Sequence, residues 1–495
     1  MSVSKNLLRR TVIPLIALCI ITSLLISCKA HINLPGDSSN SVNDPASESV
    51  KISDEPSDIP SAESEPGQKT DTVTDTETAG NNKSTQSEQT QNTEVKEPKE
   101  DKAVLPEEKT GYKAQNPNTL KAMWLSQFDL SGIYCNGKAE RSEESFRKLI
   151  KEIIDNIKDY GFNTIIVQAR PNADSMYPSE IYPQSKYING SYGKYSSYDK
   201  FAIIVEEAHA AGLAVHGWIN PMRAMSATEI ISVGKEYRIK QIYSDSTKNG
   251  KYIVNINGQL YLNPAYEEIR DMIIDGAKEL LLYYELDGLH MDDYFYPTTA
   301  DSFDSAARNE FASASQSKES FRRDCLNKLV SGLYKMVHET REGALFGISP
   351  SGVINKVYNE HCADIYEWGS KSGYVDYICP QLYFGFEHAT CAFDKLFEQW
   401  STIVKNPDVD LYVGISLGKA KAKVDNYAGS GKYEWAEHTD ITYRQLEYLV
   451  RSGKCDSIAY FCYQYFFNPL TGKKTPETLD EVNNLIPYLK TVFND

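Results

Sequence analysis

The stretch Asp287-Gly288-Leu289-His290-Met291-Asp292-Asp293-Tyr294-Phe295-Tyr296-Pro297 is a short apolar strand that runs into carboxylates and aromatic rings. Strand alternation puts Leu289 and Met291 on one face and His290 and Asp292 on the other. The same plan repeats on both sides of it. Upstream, strands are expected over 121–125, 162–168 and 213–219, with amphipathic helices over 143–159 and 198–211. Downstream, strands are expected over 345–349, 374–382, 411–416 and 457–462. Helices near 318–339, 363–371, 393–404, 443–451 and 476–492 separate and close them. With 288–292 as strand 4, eight strand–helix units follow one another, the pattern of a parallel sheet. An open doubly wound sheet would fit the alternation, but no glycine-rich phosphate loop follows strand 1. The expected fold is therefore α/β, a (β/α)8 TIM barrel over residues 115–495. An insertion after strand 3, between Pro221 and Asn263, carries an expected hairpin from 251–254 and 259–262. Asn263-Pro264 then reads as the N-cap and first residue of the next helix.

In such a barrel, function gathers at the C-terminal ends of the strands, and here those ends are rich in polar and aromatic residues. Strand 2 runs into Gln168-Ala169-Arg170-Pro171-Asn172-Ala173-Asp174, and strand 3 into His216-Gly217-Trp218-Ile219-Asn220-Pro221-Met222-Arg223. Strand 5 ends in Ser349-Pro350-Ser351-Gly352, and strand 6 in Cys379-Pro380-Gln381-Leu382-Tyr383-Phe384. Alternation groups Gln168 with Arg170, His216 with Trp218 and Asn220, and Gln381 with Tyr383. His290 and Asp292 are expected to point into the barrel mouth, with Asp293 just past the strand's end. An unpaired buried carboxylate costs several kcal/mol, so Asp292 needs a partner or a task. Arg170, Arg223 and His290 are the available partners. An internal salt bridge for Asp292, or a turn-capping role for Asp293, stands as the structural alternative. Trp218, Tyr294, Tyr296 and Tyr383 suit either ordinary packing or stacking on sugar rings.

These segments, with Phe162-Asn163-Thr164 and Leu262-Asn263-Pro264, resemble the family-10 glycosyl-hydrolase-like proteins, formerly a domain of unknown function. The resemblance covers residues 117–470 in order. It implies a (β/α)8 glycoside hydrolase acting outside the cytoplasm. Some members are lipoproteins, and at least one cleaves peptidoglycan glycan strands stripped of their stem peptides. Strand 4 also resembles, more distantly, the Asp-bearing fourth strand of the α-amylase and chitinase superfamilies. Tyr294 stands where the chitinase pattern has its catalytic Glu. Glycoside hydrolysis usually takes two carboxyl groups, about 5–5.5 Å apart for retention or 6.5–9.5 Å for inversion. Asp292 and Asp293 are the catalytic candidates, with Asp292 as nucleophile or base. The general acid stays open among Asp293, Asp129, Asp174, Glu367 and Glu387. Candidate substrate-binding residues are Gln168, Arg170, Asp174, His216, Trp218, Asn220, Arg223, His290, Tyr294, Gln381 and Tyr383.

The N-terminus bears on compartment. Lys5, Arg9 and Arg10 precede an apolar run from Thr11 to Leu25, shorter than the roughly 20 apolar residues of a membrane span. Leu25-Ile26-Ser27-Cys28 resembles the lipobox of bacterial lipoproteins, which implies a signal peptide over 1–27 and lipidation of Cys28 at the membrane. Residues 28–114 read as a disordered tether. From Asp37 to Glu100 there are 15 acidic residues against 5 lysines, and no aromatic residue precedes Tyr112. Too little apolar surface is present to offset ordering entropy. As a flexible coil of about 85 residues the tether spans on the order of 50 Å. Residues 37–100 hold −10 of the chain's net charge of −16, so the acidity belongs to the tether. The absence of a basic patch argues against nucleic acid as a partner.

The partners expected are a polysaccharide substrate and the membrane. Seven thiols remain besides Cys28 in the processed chain, without a C-x-x-C pair, so neither a disulfide framework nor a zinc ribbon is indicated. No cofactor and no metal site is expected. A metal-dependent hydrolase would draw on His216, His290, Asp292 and Asp293, but the H-E-x-x-H spacing of zinc proteases is missing. A plant-glycan or exopolysaccharide hydrolase, and a glycan-binding lipoprotein without catalysis, are the alternatives to a peptidoglycan hydrolase.

Overall fold

The computed structural model describes residues 104–493 except Lys138 and Tyr294. The expected signal peptide, Cys28, residues 28–103 of the tether, and Tyr294 lie outside the described residues.

Eight parallel strands close into a barrel in chain order. They are β1 (Lys121–Leu125), β2 (Thr164–Arg170), β3 (Ala214–Ile219), β4 (Gly288–Met291), β5 (Leu345–Ile348), β6 (Tyr377–Ile378), β7 (Asp410–Ser416) and β8 (Ser457–Phe461). β8 pairs back onto β1, with Ala122 opposite Ala459. The principal helices are α1 (Glu143–Asp159), α2 (Lys200–Ala210), α3 (Glu267–Tyr283), α4 (Lys318–Thr340), α5 (Ile365–Trp368), α6 (Phe393–Ile403), α7 (Ile441–Ser452) and α8 (Leu479–Leu489). α1 shows why the pattern was readable. Ser142 caps its first turn, Glu143 and Glu144 suit the positive helix end, and Lys158 suits the other end. Phe146, Ile150, Ile153, Ile154 and Ile157 form its buried stripe, each stabilising the packing by roughly 1.5–3 kcal/mol.

Three expected elements differ. Strand 6 is regular only at Tyr377 and Ile378, and beyond Pro380 it continues as single bridges from Gln381 to Ser351 and Gly414. Proline offers no N–H to the ladder, which breaks it there. The helix expected at Asn263-Pro264 starts at Glu267, because Asn263 Oδ1 takes the Ala265 N–H at 3.1 Å in a local turn. The folded part also begins before 115. Lys109 N–H donates to Leu282 O at 2.6 Å, Ala114 N–H to Glu342 O at 3.0 Å, and the Tyr112 hydroxyl to Asp287 at 2.7 Å.

The insertion after β3 holds a three-stranded antiparallel sheet, with Gln259–Leu262 between Arg223–Ser226 and Ile253–Ile256. Asn257 and Gly258 at its hairpin tip have φ of 52° and 92°, the pair of positive values that a type I′ turn requires.

The barrel interior carries a polar stack. Trp124 Nε1 donates to His290 Nε2 at 3.3 Å, and His290 Nδ1 lies 2.9 Å from the Tyr377 hydroxyl. The same hydroxyl lies 3.1 Å from His216 Nδ1, and His216 Nε2 lies 2.8 Å from Asn116 Oδ1. An indole N–H only donates, so one donor direction satisfies the row: Trp124 to His290 to Tyr377 to His216 to Asn116. In that order both imidazoles are neutral. Burial acts the same way, lowering His216 to about 4 and His290 well below the ordinary imidazole value. Glycines make the room. A Cβ at Gly288 would fall 2.7 Å from His216 Cε1, and one at Gly347 would fall inside the Tyr377 ring. The expectation that His216 and His290 line the mouth is thereby corrected. Both are fully buried, and Asn116, which precedes β1, draws His216 toward the opposite end of the barrel.

Candidate active site

Asp292 follows Met291 at the end of β4 and is 3% exposed. Its Oδ2 accepts from Trp218 Nε1 at 3.0 Å and from Asn220 Nδ2. Both donors come from β3 and the residues just after it, because β3 pairs in register with β4, Trp218 opposite His290. Two of its donors are therefore neutral side chains of the neighbouring strand. Arg170 is 1% exposed and spends its guanidinium on the Asn220 and Pro221 carbonyls (3.0 and 3.1 Å) and the Tyr182 hydroxyl (3.2 Å). It locks the corner where β3 enters the insertion.

Asp293 behaves differently because β4 ends at Met291 and strict alternation ends with it. Its half-buried carboxyl receives a hydrogen bond from Gln381 and feels the cations Lys356 and Arg223. Burial outweighs these and pushes the group up to about 6. Two adjacent carboxylates thus diverge, Asp292 toward β3 and Asp293 toward the end of β6. Gln381 Nε2 also donates to Ser349 O at 3.1 Å, which fixes it between the ends of β5 and β6. Tyr383 stacks on Phe461 at 5.9 Å and 23°, a half-buried aromatic pair beside Asp293.

The structure brings Gln168, Trp218 and Asn220 together around Asp292, and Arg223, Gln381 and Tyr383 around Asp293. It does not bring Asp174 to them. That carboxylate is fully buried in the loop after β2, where it takes the Asn172 N–H at 2.7 Å, and burial raises it to about 6. The other candidate acids have local tasks. Asp129 closes a capping box with Ser126 at the start of helix Gln127–Tyr134 and takes the Gln464 N–H at 2.8 Å. Glu367 pairs with Lys371 at 2.7 Å on α5, and Glu387 is exposed in the loop after β6. Among the described residues no group of three or more His, Cys, Asp or Glu side chains is gathered as metal ligands would be.

Sequence reasoning missed Trp124, Phe461 and Lys356. The inward alternation of β1 pointed to Trp124. Lys356 lies in a five-residue π-helical segment after β5 and carried no periodic signal.

A parallel eight-stranded barrel with paired carboxylates at the end of its fourth strand places this protein in the glycosyl-hydrolase-like class. The chain belongs to the glycosyl hydrolase-like 10 family, whose profile matches residues 119–428. It is 32% identical over 333 residues to glycosyl hydrolase YngK of Bacillus subtilis (strain 168), covering 63% of this chain and 62% of that relative. The chain thus spans under two thirds of that relative's length. It is 27% identical over 355 residues to glycosyl hydrolase DigH of Escherichia coli (strain K12), covering 66% of this chain and 80% of the other. Among solved structures, the PgaB (BpsB) glycoside hydrolase domain from Bordetella bronchiseptica superposes with a TM-score of 0.48 at 14% identity, covering 74% of this chain and 99% of that one.

Proposed function

We propose that this protein is a glycoside hydrolase that works outside the cytoplasm on peptidoglycan glycan strands, held to the membrane by lipid on Cys28. One observation carries the catalytic reading: the adjacent carboxyls Asp292 and Asp293 occupy opposite environments. Donors from Trp218 and Asn220 stabilise Asp292 as the anion, fit to act as nucleophile or base. Burial keeps a proton on Asp293 up to a pH of about 6, which fits a general acid. Asp293 would protonate the glycosidic oxygen as its bond to the anomeric carbon breaks. Asp292 would meet that carbon directly or through water, and water ends on the sugar as a new hydroxyl. The Tyr383–Phe461 pair offers a face for a sugar ring beside the acid.

Support for a glycan substrate comes from the family and from two relatives named as glycosyl hydrolases. The location rests on Lys5, Arg9, Arg10, the apolar run 11–25 and Cys28, and the long acidic tether suits a barrel that reaches into a wall. Parallel incubation with denuded peptidoglycan, chitin and xylan, followed by mass spectrometry, tests the substrate. Shortened strands from peptidoglycan are expected. Products from xylan or chitin alone would move the activity to another polysaccharide. Binding by calorimetry without any product would make the protein a glycan-binding lipoprotein. For the anchor, Cys28→Ala is expected to release the protein from the membrane fraction.

A further inference from the structure

Gln168 and Asn220 appeared in the sequence as residues that touch substrate. Their hydrogen bonds give them another role. The Gln127 backbone N–H donates to Gln168 Oε1 at 2.8 Å, Gln168 Nε2 donates to Asn220 Oδ1 at 2.7 Å, and Asn220 Nδ2 donates to Asp292 Oδ2. We infer that Gln168 and Asn220 form a one-way amide relay that positions Asp292 for the reaction without contacting the glycan. This rests on the assignment of Asp292 under the proposed function.

The direction of the relay is fixed at both ends. A backbone N–H can only donate, so Gln168 must turn its oxygen to Gln127 and its NH2 to Asn220. An ionised carboxylate can only accept, so Asn220 must turn its NH2 to Asp292. Each amide thus has one orientation, and neither titrates. Gln127 is the first residue of helix Gln127–Tyr134, so the relay starts at an N–H of a positive helix end. Its members come from the ends of β1, β2, β3 and β4 in sequence around the rim. Gln127, Gln168 and Asn220 are buried, and the Gln168 and Asn220 amides each already spend their oxygen and their NH2 within the relay. Trp218 adds a second donor to the same oxygen. The ionisable groups carried by these elements and their neighbours include Lys121, Asp129, Arg170, His216, His290, Asp293, Arg223 and Lys356. None of them is a link in the relay.

The test uses Gln168→Met, which keeps volume and removes both bonds, and Gln168→Glu, which keeps the bond from Gln127. In Gln168→Met, kcat should fall about tenfold or more while KM changes little, because orientation and not binding is lost. The acidic limb of kcat/KM should move to higher pH. In Gln168→Glu, an ionised side chain presents an acceptor to Asn220 and breaks the relay. Protonation restores a donor, so activity relative to wild type should recover as pH falls. A merely space-filling role predicts no such recovery. The Asp292 carboxyl is also followed by 13C NMR titration in intact protein, with Asp292→Asn used to assign it. Its pKa should rise in Gln168→Met, and this readout needs no substrate. Unchanged kcat and an unchanged Asp292 titration would overturn the relay, as would a raised KM with kcat intact. If Asp292→Asn keeps wild-type turnover, the proposed function fails instead. If Asp292→Asn is inactive while Gln168→Met behaves as wild type, only the relay fails. If Gln168→Met does not fold, the pH-dependent recovery of Gln168→Glu decides.

Discussion

Trp218 Nε1 donates to Asp292 Oδ2 across 3.0 Å, tying the end of β3 to the end of β4 at the mouth of the barrel. The contact satisfies the carboxylate with a donor that carries no charge.

Asp292→Asn should leave a folded protein with no measurable glycan cleavage, since the amide removes the anion and nearly preserves shape. Asp293→Asn should lower kcat by about 10²–10⁴-fold, the usual contribution of a general acid. Release of reducing ends checks both, and circular dichroism checks the fold. Turnover near wild type in Asp292→Asn would remove that residue from the chemistry.

As the proposed general acid, Asp293 needs its proton and sits at about 6, so activity should decline as pH rises through that value. Lys356 and Arg223 favour the charged form and lower this value. Lys356→Met should therefore carry the alkaline limb of kcat/KM to higher pH. A limb that stays in place, or moves down, would separate Lys356 from the titration of Asp293.

His216 ties stability to pH. Its folded value of about 4 lies below the ordinary 6.5, so the unfolded chain binds the proton more readily. Stability from this group is full above about 6.5 and declines as pH falls toward 4, by ~3 kcal/mol at most. His290 acts in the same direction. Urea midpoints measured from pH 7.5 to 4 should fall, and His216→Gln should flatten part of that slope. An equal slope in the variant would show that other groups dominate.

The loop after Asp293 is fastened by a buried ion pair. Arg322 on α4 donates from Nε to Asp304 at 2.8 Å and from a terminal nitrogen at 2.9 Å, and both side chains are fully buried. The same guanidinium also holds the Thr298 and Ala300 carbonyls. Asp304→Ala should cost about 3–5 kcal/mol, because an uncompensated guanidinium stays buried. Thermal melting of the variant measures this, and a loss under 1 kcal/mol would mean the loop finds another anchor.

Gly347→Ala should destabilise by about 1–3 kcal/mol through overpacking, since the added methyl meets the Tyr377 ring. The same denaturant titration reads the effect. A neutral result would show that the ring has room to shift.

Much of the architecture was legible in the sequence. Helix stripes such as Phe146 to Ile157, and strand alternation such as Leu289 against His290, are local consequences of backbone geometry. They specified eight units, the closed barrel order and the mouth as the place for Asp292. The break at Pro380 and the turn made by Asn263 are also local, yet they shortened elements that periodicity alone extended.

What the tertiary structure decided is depth and partnership. Alternation says which face a side chain takes but not how far along the barrel axis it sits, so His216 and His290 read as mouth residues and lie beneath it. Nor does sequence spacing report the register between strands that brings Asn220 to Asp292, or Gln381 to Asp293. Those meetings depend on the pairing of β3 with β4 and on the end of β4 at Met291. Adjacent carboxylates that look equivalent in sequence thereby gain opposite environments, one bonded to neutral donors and the other raised by burial.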